Sequence, residues 1–369
     1  MKKSLSILLS LLFIIFIFTS CGAKNKNLVK TDDIITNIYP ANCEVSIHTE
    51  KQTKYLENSF DKLPLGVKGK KELSYPKAIE FQWVYNGDKT EKTEYILNIS
   101  ENADMLNPIT YTSSTETVAV YNLKIATTYY WTVTIDDETS KVYEFTTDGT
   151  APRNLYVDGI TNVRDIGGWV TENGNRTNQG LFYRCARLNE SKDNGSGVII
   201  TDAGKSVMLN ELGVKTEIDV RRAEKGETGG LTASPLGDTV KYLNFPMDHA
   251  NDILNDNKEQ IMNFFETLAD KENYPMIIHC SVGCDRTGML VFMVNALLGV
   301  SEEDLIRDYM FSNFADVDNK RKVETLKSTA YYQAITSAKG DTLSEKAYNC
   351  LADFGVPAEH LDAVISILS

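Results

Sequence analysis

The sequence predicts two folded domains of different class: a small all-β sandwich, then an α/β domain with a central, mostly parallel sheet and helices on both faces. Short segments of alternating apolar and polar residues, separated by turn residues, fill residues 38–150 and are typical of a β-sandwich. Apolar strands interleaved with helical patterns fill residues 151–369 and are typical of an α/β sheet. The Gly-Thr-Ala-Pro run at residues 149–152 predicts the boundary between the domains.

The first 20 residues predict an export signal. Lys2 and Lys3 precede an apolar run over residues 5–18, and two small residues then precede Cys21. The run is shorter than the roughly 18–20 residues that span a bilayer. Small residues directly before a cysteine resemble a bacterial lipobox, which implies cleavage before Cys21 and lipidation of its thiol. We therefore expect a signal peptide (1–20), a polar tether (21–37) and an extracytoplasmic bacterial lipoprotein anchored to the cell membrane through Cys21.

The all-β segment is predicted strand by strand. Alternation is clearest at residues 78–84, and further strands are predicted at 94–99, 117–121, 123–133 and 142–147. Trp83, Leu123 placed six residues before Tyr129, and the closing Glu-Phe-Thr-Thr strand at 144–147 resemble a fibronectin type III module. The resemblance implies an immunoglobulin-like sandwich over residues 38–150, with a protein or a glycan as its candidate ligand.

The α/β segment shows helix signals at regular intervals. Thr201 can cap a helix that runs to about residue 211, and Ser301 with Asp304 forms a capping box for another. Helices are also predicted at 251–273, 286–298, 344–354 and 357–368, and strands at 180–188, 214–220 and 276–278.

The stretch at residues 279–288, here called the signature loop, joins a buried strand to a helix. At a helix N-terminus the amide N–H groups point into one concavity, which suits an anion with several oxygens. The guanidinium fork of Arg286 matches two phosphate oxygens, and Gly283 permits an unusual backbone angle. The predicted phosphate-binding residues are Ser281, Val282, Gly283, Cys284, Asp285 and Arg286.

Cys280 is the predicted nucleophile at the base of this loop. The helix dipole and the N–H groups stabilise a thiolate, which lowers a cysteine pKa into the roughly 3.5–7.5 range of activated cysteines. The Thr287 hydroxyl can donate to that thiolate and help it leave in a second step. His279 is predicted to orient the loop from behind rather than to act as a base.

These residues resemble the His-Cys-x5-Arg-(Ser/Thr)-Gly signature of the cysteine-dependent protein tyrosine phosphatases, with a complete match from His279 to Gly288. Three further segments, at 162–168, 183–185 and 219–221, resemble blocks of the bacterial tyrosine phosphatase branch. The resemblance covers residues 155–369. It implies a tyrosine-phosphatase-like α/β fold and hydrolysis through a phosphocysteine intermediate without a cofactor.

Two carboxylates compete to protonate the leaving oxygen. Asp285 lies inside the signature loop, where the bacterial and myotubularin-like branches carry the implicated aspartate. Asp248 lies 32 residues before Cys280 and resembles the separate acid loop of dual-specificity phosphatases. We favour Asp285, and Asp→Asn substitution at each position separates the two.

Three arginines form a second group of candidates near predicted strand or turn ends. They either bind a second charge on the substrate or form a scaffold by pairing with neighbouring acids, and the scaffold is favoured. The group comprises Arg164, Asp165, Arg184, Asp219 and Arg221.

The net charge and the cysteine spacing exclude two kinds of binding partner, a nucleic acid and a metal ion. The formal net charge of −13 argues against a nucleic acid, because a phosphate backbone is repelled by an acidic surface. The six cysteines lack metal-ligand spacing, so no metal site is predicted. Disulfide bonds are allowed outside the cell but nothing indicates them. The expected substrate is a phosphorylated protein or a small phosphomonoester.

Three functions compete at this stage. The first is hydrolysis of phosphotyrosine, with dual specificity as an extension. The second is hydrolysis of phosphoinositides or inositol phosphates, which Cys284 disfavours because that branch often carries a lysine there. The third is a surface binding protein with a vestigial phosphatase fold, which the intact Cys280 and Arg286 disfavour.

Overall fold

The computed structural model describes residues 33–57, 72–90, 93–190, 200–248, 254–316 and 321–369. The predicted signal peptide, Cys21 and most of the predicted tether lie outside these ranges. No helix among the described residues has both the length and the apolar character needed to cross a membrane. The described residues fall into two compact units. The first contains residues 33–45, 82–117 and 128–146, and the second contains 46–81, 118–127 and 147–369, except the undescribed positions.

The N-terminal half is rich in strands. Antiparallel pairing builds one sheet in the order β1-β3-β6 and another in the order β2-β9-β7-β4-β5, with β8 on β7. The strands are β1 (Ile35–Tyr39), β2 (Glu44–Val45), β3 (Ile79–Tyr85), β4 (Tyr95–Ser100), β5 (Ile109–Ser113), β6 (Thr117–Val120), β7 (Thr128–Ile135), β8 (Glu138–Thr139) and β9 (Tyr143–Thr147).

Alternating burial shows that the two sheets share a core. In the β4–β7 pair, Leu97 lies opposite Val133 and Ile99 opposite Trp131, and all four are buried. Trp83 of β3 meets Tyr95 of β4 edge-on, with ring centroids 5.5 Å apart. The two antiparallel sheets therefore contact each other through these rings, as expected for an all-β unit.

One helix interrupts the segment predicted as entirely β. Helix α1 (Glu50–Leu56) begins at a capping box in which Thr49 and Gln52 satisfy each other's N–H groups. The Gln52 amide donates to the carbonyls of Leu73 and Tyr75, and Tyr55 is buried in the core of the second unit. Residues 46–81 and 118–127 therefore belong with the second unit, so the observed division differs from the predicted single boundary at 150.

The second unit is built on a mixed, mostly parallel sheet. Its strand order is β10-β11-β14-β12-β13, in which only the β10–β11 pair is antiparallel. The strands are β10 (Arg164–Asp165), β11 (Phe182–Cys185), β12 (Thr216–Asp219), β13 (Lys241–Asn244) and β14 (Met276–His279).

The central strand β14 is covered on both faces. Met276 and Ile278 pack into one apolar cluster, and Ile277 packs into the other. His279 lies beside Cys185 of β11 and Asp219 of β12, so the carboxyl ends of three parallel strands meet at one edge. Such an edge is where open α/β sheets bind ligands.

The helices follow the strands in sequence. Helix α4 (Arg286–Leu297) is buried along its whole length, which explains why its apolar residues surround it rather than form a stripe. The remaining helices are α2 (Asp202–Ser206, continued by a π-helical turn at Val207–Glu211), α3 (Lys258–Ala269), α5 (Glu302–Phe311), α6 (Val323–Lys327), α7 (Ala330–Ser337), α8 (Leu343–Phe354) and α9 (Ala358–Leu368). Short 3-10 turns lie at Ala223–Lys225, Asn255–Asn257, Lys271–Asn273 and Ser312–Phe314.

Candidate active site

The signature loop links the end of β14 to the start of α4. Gly283 adopts a φ of +69°, and a Cβ at this position would lie 2.3 Å from the carbonyl oxygen of Cys185. Only glycine fits both the angle and the close approach to the neighbouring strand. The amide N–H groups of residues 281–285 have no hydrogen-bond acceptor among the described residues. They are therefore available to an anion at the N-terminus of α4.

Cys280 lies at the base of the loop and is 2% exposed. Burial raises the pKa of its thiol, but the Arg286 charge and hydrogen bonds from the Thr287 hydroxyl and amide outweigh burial and hold the pKa below its ordinary value. The buried Thr287 hydroxyl has no geometrically defined hydrogen-bond partner among the described residues, so it is available to the Cys280 sulfur. The surroundings thus favour a thiolate, which is the nucleophilic form.

Arg286 is buried and already holds a carboxylate. Its Nη1 donates to Glu227 Oε2 at 2.7 Å and to the Met247 carbonyl at 3.1 Å, and its Nη2 donates to Ser281 Oγ at 3.4 Å. Glu227 also accepts from Arg222 at 2.7 Å. Burial raises the pKa of Glu227, but the hydrogen bonds from Arg286 and Arg222 prevail and lower it to about 2. Arg286 is therefore held at the loop by a partner that is charged at neutral pH.

Buried side chains support the loop from behind. Asn162 donates to the carbonyls of Val282 and Gly283 at 3.1 and 3.2 Å, and to the Cys284 sulfur at 3.4 Å. Arg184 donates to the Gly283 carbonyl at 2.6 Å. These donors satisfy the loop carbonyls of Val282 and Gly283 and so fix the backbone of the loop.

His279 lies under the loop in a buried polar network. Its Nε2 lies 2.9 Å from Glu217 Oε1, and its Nδ1 lies 3.8 Å from Asp219 Oδ1. Burial lowers the pKa of His279, but the two carboxylates raise it above the ordinary value overall. The location matches an orienting role, with the imidazole behind the loop.

The three side chains His279, Glu217 and Asp219 also lie close enough to hold a metal ion, with ligand atoms within 4.8 Å of one another. However, Asp219 accepts from Arg221 at 2.7 Å, and Glu217 already accepts from both His279 and Ser234. A guanidinium in direct contact repels a cation, so this donor set fits a hydrogen-bonded network rather than a metal centre.

Each candidate acid is paired with an arginine. Asp285 forms two contacts with Arg321, at 3.2 and 3.3 Å, and its side chain is half exposed. Asp248 contacts Arg222 at 3.1 Å and is also half exposed. Asp248 directly follows Met247, whose carbonyl accepts a hydrogen bond from Arg286, so the backbone before Asp248 contacts the Arg286 side chain.

The second group of candidates forms buried ion pairs. Arg164 and Arg184 share the carboxylate of Asp308, each at 2.7 Å, so Arg164 pairs with Asp308 rather than with Asp165. Asp165 instead accepts from Arg153 at 2.7 Å. Arg221 pairs with Asp219. These contacts tie the strand ends together and are those of a scaffold.

The sequence reasoning missed the acids and cations that arrive from distant segments. Glu227, Arg222, Arg321 and Asp308 carry no recognisable local motif, and Asn162, the first residue of the 162–168 block, was given no role. Asp308 did offer a signal, because it falls on the apolar face of α5 beside Leu305, Ile306 and Tyr309. A charged residue on a buried face predicts an ion pair.

Comparisons with known proteins agree with this geometry. Residues 155–367 match the model of a family described as the tyrosine phosphatase family. A Cupriavidus necator protein assigned to the tyrosine-protein phosphatases is 24% identical over 184 residues, which cover 43% of this chain and 63% of that protein. A tyrosine-protein phosphatase of Nostoc commune is 27% identical over 132 residues, which cover 31% of this chain and 45% of that protein. This chain thus matches less than two thirds of the length of either relative.

Two solved structures align with a part of the chain. The core catalytic domain of the S. cerevisiae PP-IP phosphatase SIW14, in complex with citrate, is 16% identical, with 54% of this chain and 95% of that one covered and a TM-score of 0.30. P. aeruginosa TpbA in complex with pTyr is 17% identical, with 43% and 88% covered and a TM-score of 0.28. TM-scores this low do not establish a shared fold.

Proposed function

Because the chain belongs to the tyrosine phosphatase family, we propose that it is a cysteine-dependent phosphatase that hydrolyses phosphotyrosine through a phosphocysteine intermediate. The observation that carries the proposal is the setting of Cys280. Arg286 and Thr287 hold the pKa of its thiol below the ordinary value, and the amides of the five residues that follow it have no acceptor among the described residues. Phosphoryl transfer to cysteine requires a thiolate next to a loop that binds the phosphate oxygens.

The reaction has two steps. The Cys280 thiolate attacks phosphorus, the sulfur–phosphorus bond forms, and the bond to the leaving oxygen breaks. The loop amides and Arg286 stabilise the charge on the equatorial oxygens. Water then attacks phosphorus, the sulfur leaves as a thiolate, and inorganic phosphate is released. The Thr287 hydroxyl stabilises that departing thiolate.

The leaving oxygen takes a proton from a carboxylic acid, and Asp285 is the favoured donor, with Asp248 as its competitor. Replacing the true acid by asparagine lowers kcat by about 10²–10⁴-fold on substrates with poor leaving groups and much less on good ones. Both variants should be tested against a series of aryl phosphates that differ in leaving-group pKa. Small, equal losses in the two variants contradict the assignment of either residue.

The decisive experiment uses para-nitrophenyl phosphate. The full chain should hydrolyse it in the presence of a chelator, and Cys280→Ser should lose about a thousandfold or more of the rate. Cys350→Ser, a change at a partly buried cysteine in α8, is the matched control and should retain the activity. Hydrolysis that survives in Cys280→Ser, or that stops when the chelator is added, contradicts the mechanism.

A substrate panel then separates the candidate substrates. Phosphotyrosine peptides should be hydrolysed with a higher kcat/KM than phosphoserine peptides, phosphoinositides or inositol phosphates. Preference for an inositol phosphate would replace the first function by the second. Binding of peptides without turnover would favour the surface binding protein.

We also propose that the protein is an extracytoplasmic lipoprotein held at the cell membrane by Cys21. The support is the Lys-Lys, apolar and small-residue pattern that precedes Cys21. Cys21→Ser should move the protein from the membrane fraction to the soluble fraction, and mass spectrometry of the wild-type N-terminus should show an acylated cysteine. An unmodified N-terminus on the wild-type protein would contradict the proposal.

The fibronectin type III-like assignment of the strand-rich N-terminal half, with a protein or glycan as ligand, is likewise a proposal. Its support is the pair of antiparallel sheets joined by aromatic contacts. A glycan array and a pull-down with the full-length protein test it, and the absence of any ligand in both would contradict it.

A further inference from the structure

Arg321 forms an ion pair with Asp285, and its backbone is fixed in place. Its backbone N–H donates to Asn313 Oδ1 at 3.0 Å, and the Asn313 amide donates back to the Arg321 carbonyl at 2.9 Å. Its two terminal nitrogens contact the two oxygens of Asp285 at 3.2 and 3.3 Å. Among the described residues, no other carboxylate lies within the 4 Å of an ion pair with it. The guanidinium is thus positioned for one carboxylate.

The contact with Arg321 hinders Asp285 from acting as the proton donor. A proton donor must direct one carboxyl oxygen at the leaving oxygen, whereas both carboxyl oxygens of Asp285 are engaged by the guanidinium of Arg321. The side chain of Asp285 is 51% exposed, so a substrate can reach it, whereas that of Arg321 is 12% exposed. The contact must break before Asp285 can donate a proton.

We propose that a carboxylate on the substrate takes the place of Asp285 on Arg321 and thereby releases Asp285 to act as the acid. The substrate class is a phosphotyrosine peptide with Asp or Glu next to the phosphotyrosine. This inference rests on the proposed function. In this scheme Arg321 binds the carboxylate of an acidic peptide, and Asp285, once released from Arg321, protonates the leaving oxygen.

Charge and geometry favour a carboxylate as the occupant. The fork already holds a carboxylate in two-point contact, so a second carboxylate reproduces the same contacts without strain. Asp285 directly precedes Arg286, and adjacent Cα atoms lie about 3.8 Å apart. A side chain that reaches Arg321 therefore belongs to a residue close to the phosphotyrosine in the peptide.

The proton balance is complete without another reactant. The released Asp285 takes a proton from solvent and gives it to the leaving tyrosine oxygen as the sulfur–phosphorus bond forms. In the second step the same carboxylate takes a proton from the attacking water. The substrate carboxylate stays ionised on Arg321 throughout and leaves with the dephosphorylated peptide.

The test uses the full chain and three peptides that differ at the position after phosphotyrosine: Glu, Gln or phosphoserine. In the wild type the Glu peptide should exceed the Gln peptide in kcat/KM by about tenfold or more, the size of one charged hydrogen bond. Arg321→Gln should bring that ratio to about one, and Arg321→Lys should restore part of it. Both variants should still turn over para-nitrophenyl phosphate at a measurable rate, which shows that they are folded, because nitrophenolate leaves without a proton.

The matched control is Arg307→Gln, which removes an arginine of similar exposure that pairs with Glu303 and Asp304 on α5. It should keep the ratio of the wild type. Asp285→Asn should lower kcat for the Glu peptide and also lower its KM, because the substrate carboxylate then has no carboxylate to displace from Arg321, a split that a purely structural role does not produce.

Three outcomes overturn the inference. A Glu-to-Gln ratio near one in the wild type shows that no substrate carboxylate is recognised. A ratio that survives in Arg321→Gln places the recognition elsewhere. A phosphoserine peptide preferred over the Glu peptide shows that the occupant is a second phosphate. Failure of the proposed function is distinct, because the wild type would then hydrolyse neither the peptides nor para-nitrophenyl phosphate.

Discussion

At the scale of single residues, Gly283 determines whether the signature loop can adopt its shape. We predict that Gly283→Ala destabilises the protein by about 2–5 kcal/mol, because the change adds a positive-φ penalty and a clash with the Cys185 carbonyl. The phosphatase rate should fall with it. Urea unfolding and turnover of para-nitrophenyl phosphate measure the two effects.

Gly174→Ala is the matched control for that substitution. Gly174 has a φ of +80°, but no atom lies within 4 Å of the Cβ that alanine would add. Gly174→Ala should lower the free energy of unfolding only by the roughly 1–2 kcal/mol that the left-handed conformation costs an alanine. Equal costs at the two positions would show that the contact with Cys185 is unimportant.

Glu227 makes stability depend on pH in the acid range. Its pKa is about 2 in the folded protein and near 4.5 in the unfolded chain, so its contribution to stability is present above about pH 5 and is lost as the pH falls toward 2. Glu227→Gln should therefore lower the free energy of unfolding at pH 6 and have a smaller effect at pH 3. Urea titrations at both pH values test this, with the exposed Glu224→Gln as control. A Glu227 effect that does not change with pH would contradict the prediction.

Residues within the loop were predictable, but their distant partners were not. Cys280, Gly283 and Arg286 lie within seven consecutive residues, so their spacing is visible in the sequence. One loop and one helix start must provide the nucleophile, the turn and the cation together. Glu227 lies 59 residues before Arg286, and Arg321 lies 36 residues after Asp285. Nothing in the spacing distinguishes these two from other surface charges, since only the folded chain brings them to the loop.

At the scale of elements, capped helices and buried strands were predicted best. Thr201 and Ser301 are N-caps as expected, and Gly299 follows the end of α4 with a φ of +82°. The predicted strand at 123–133 was placed too early, because Ala126 adopts a positive φ and the strand starts at Thr128. Short elements such as β13 and α1 were missed, since a few residues carry too little periodicity.

Helix α5 is joined to the sheet by one buried carboxylate. Asp308→Asn should cost about 3–5 kcal/mol, because Arg164 and Arg184 would remain buried without a counter-charge. Asp304→Asn on the same helix removes a contact nearer the surface and should cost less than about 1 kcal/mol. Urea unfolding of the two variants measures the difference, and similar costs would show that the cluster does not stabilise the fold.

At the scale of the whole molecule, the second unit depends on segments that precede the predicted boundary. Tyr55 of α1 packs edge-on against Phe314, with ring centroids 5.6 Å apart. Tyr55→Ala should destabilise the full chain by about 3 kcal/mol, whereas Lys54→Ala on the exposed side of α1 should change little. A fragment of residues 151–369 should show a lower Tm than the full chain. A fragment that unfolds at the same temperature would restore the predicted boundary at 150.

The way the chain is shared between the units has a further consequence for protein engineering. The backbone passes from one unit to the other after residues 45, 81, 117, 127 and 146. A domain that can be transferred between proteins is formed by one continuous stretch of chain, so it can be fused to another protein or exchanged by recombination at its two ends. Neither unit of this protein meets that condition, and transplanting the strand-rich part would also remove pieces on which the enzyme-bearing part is built.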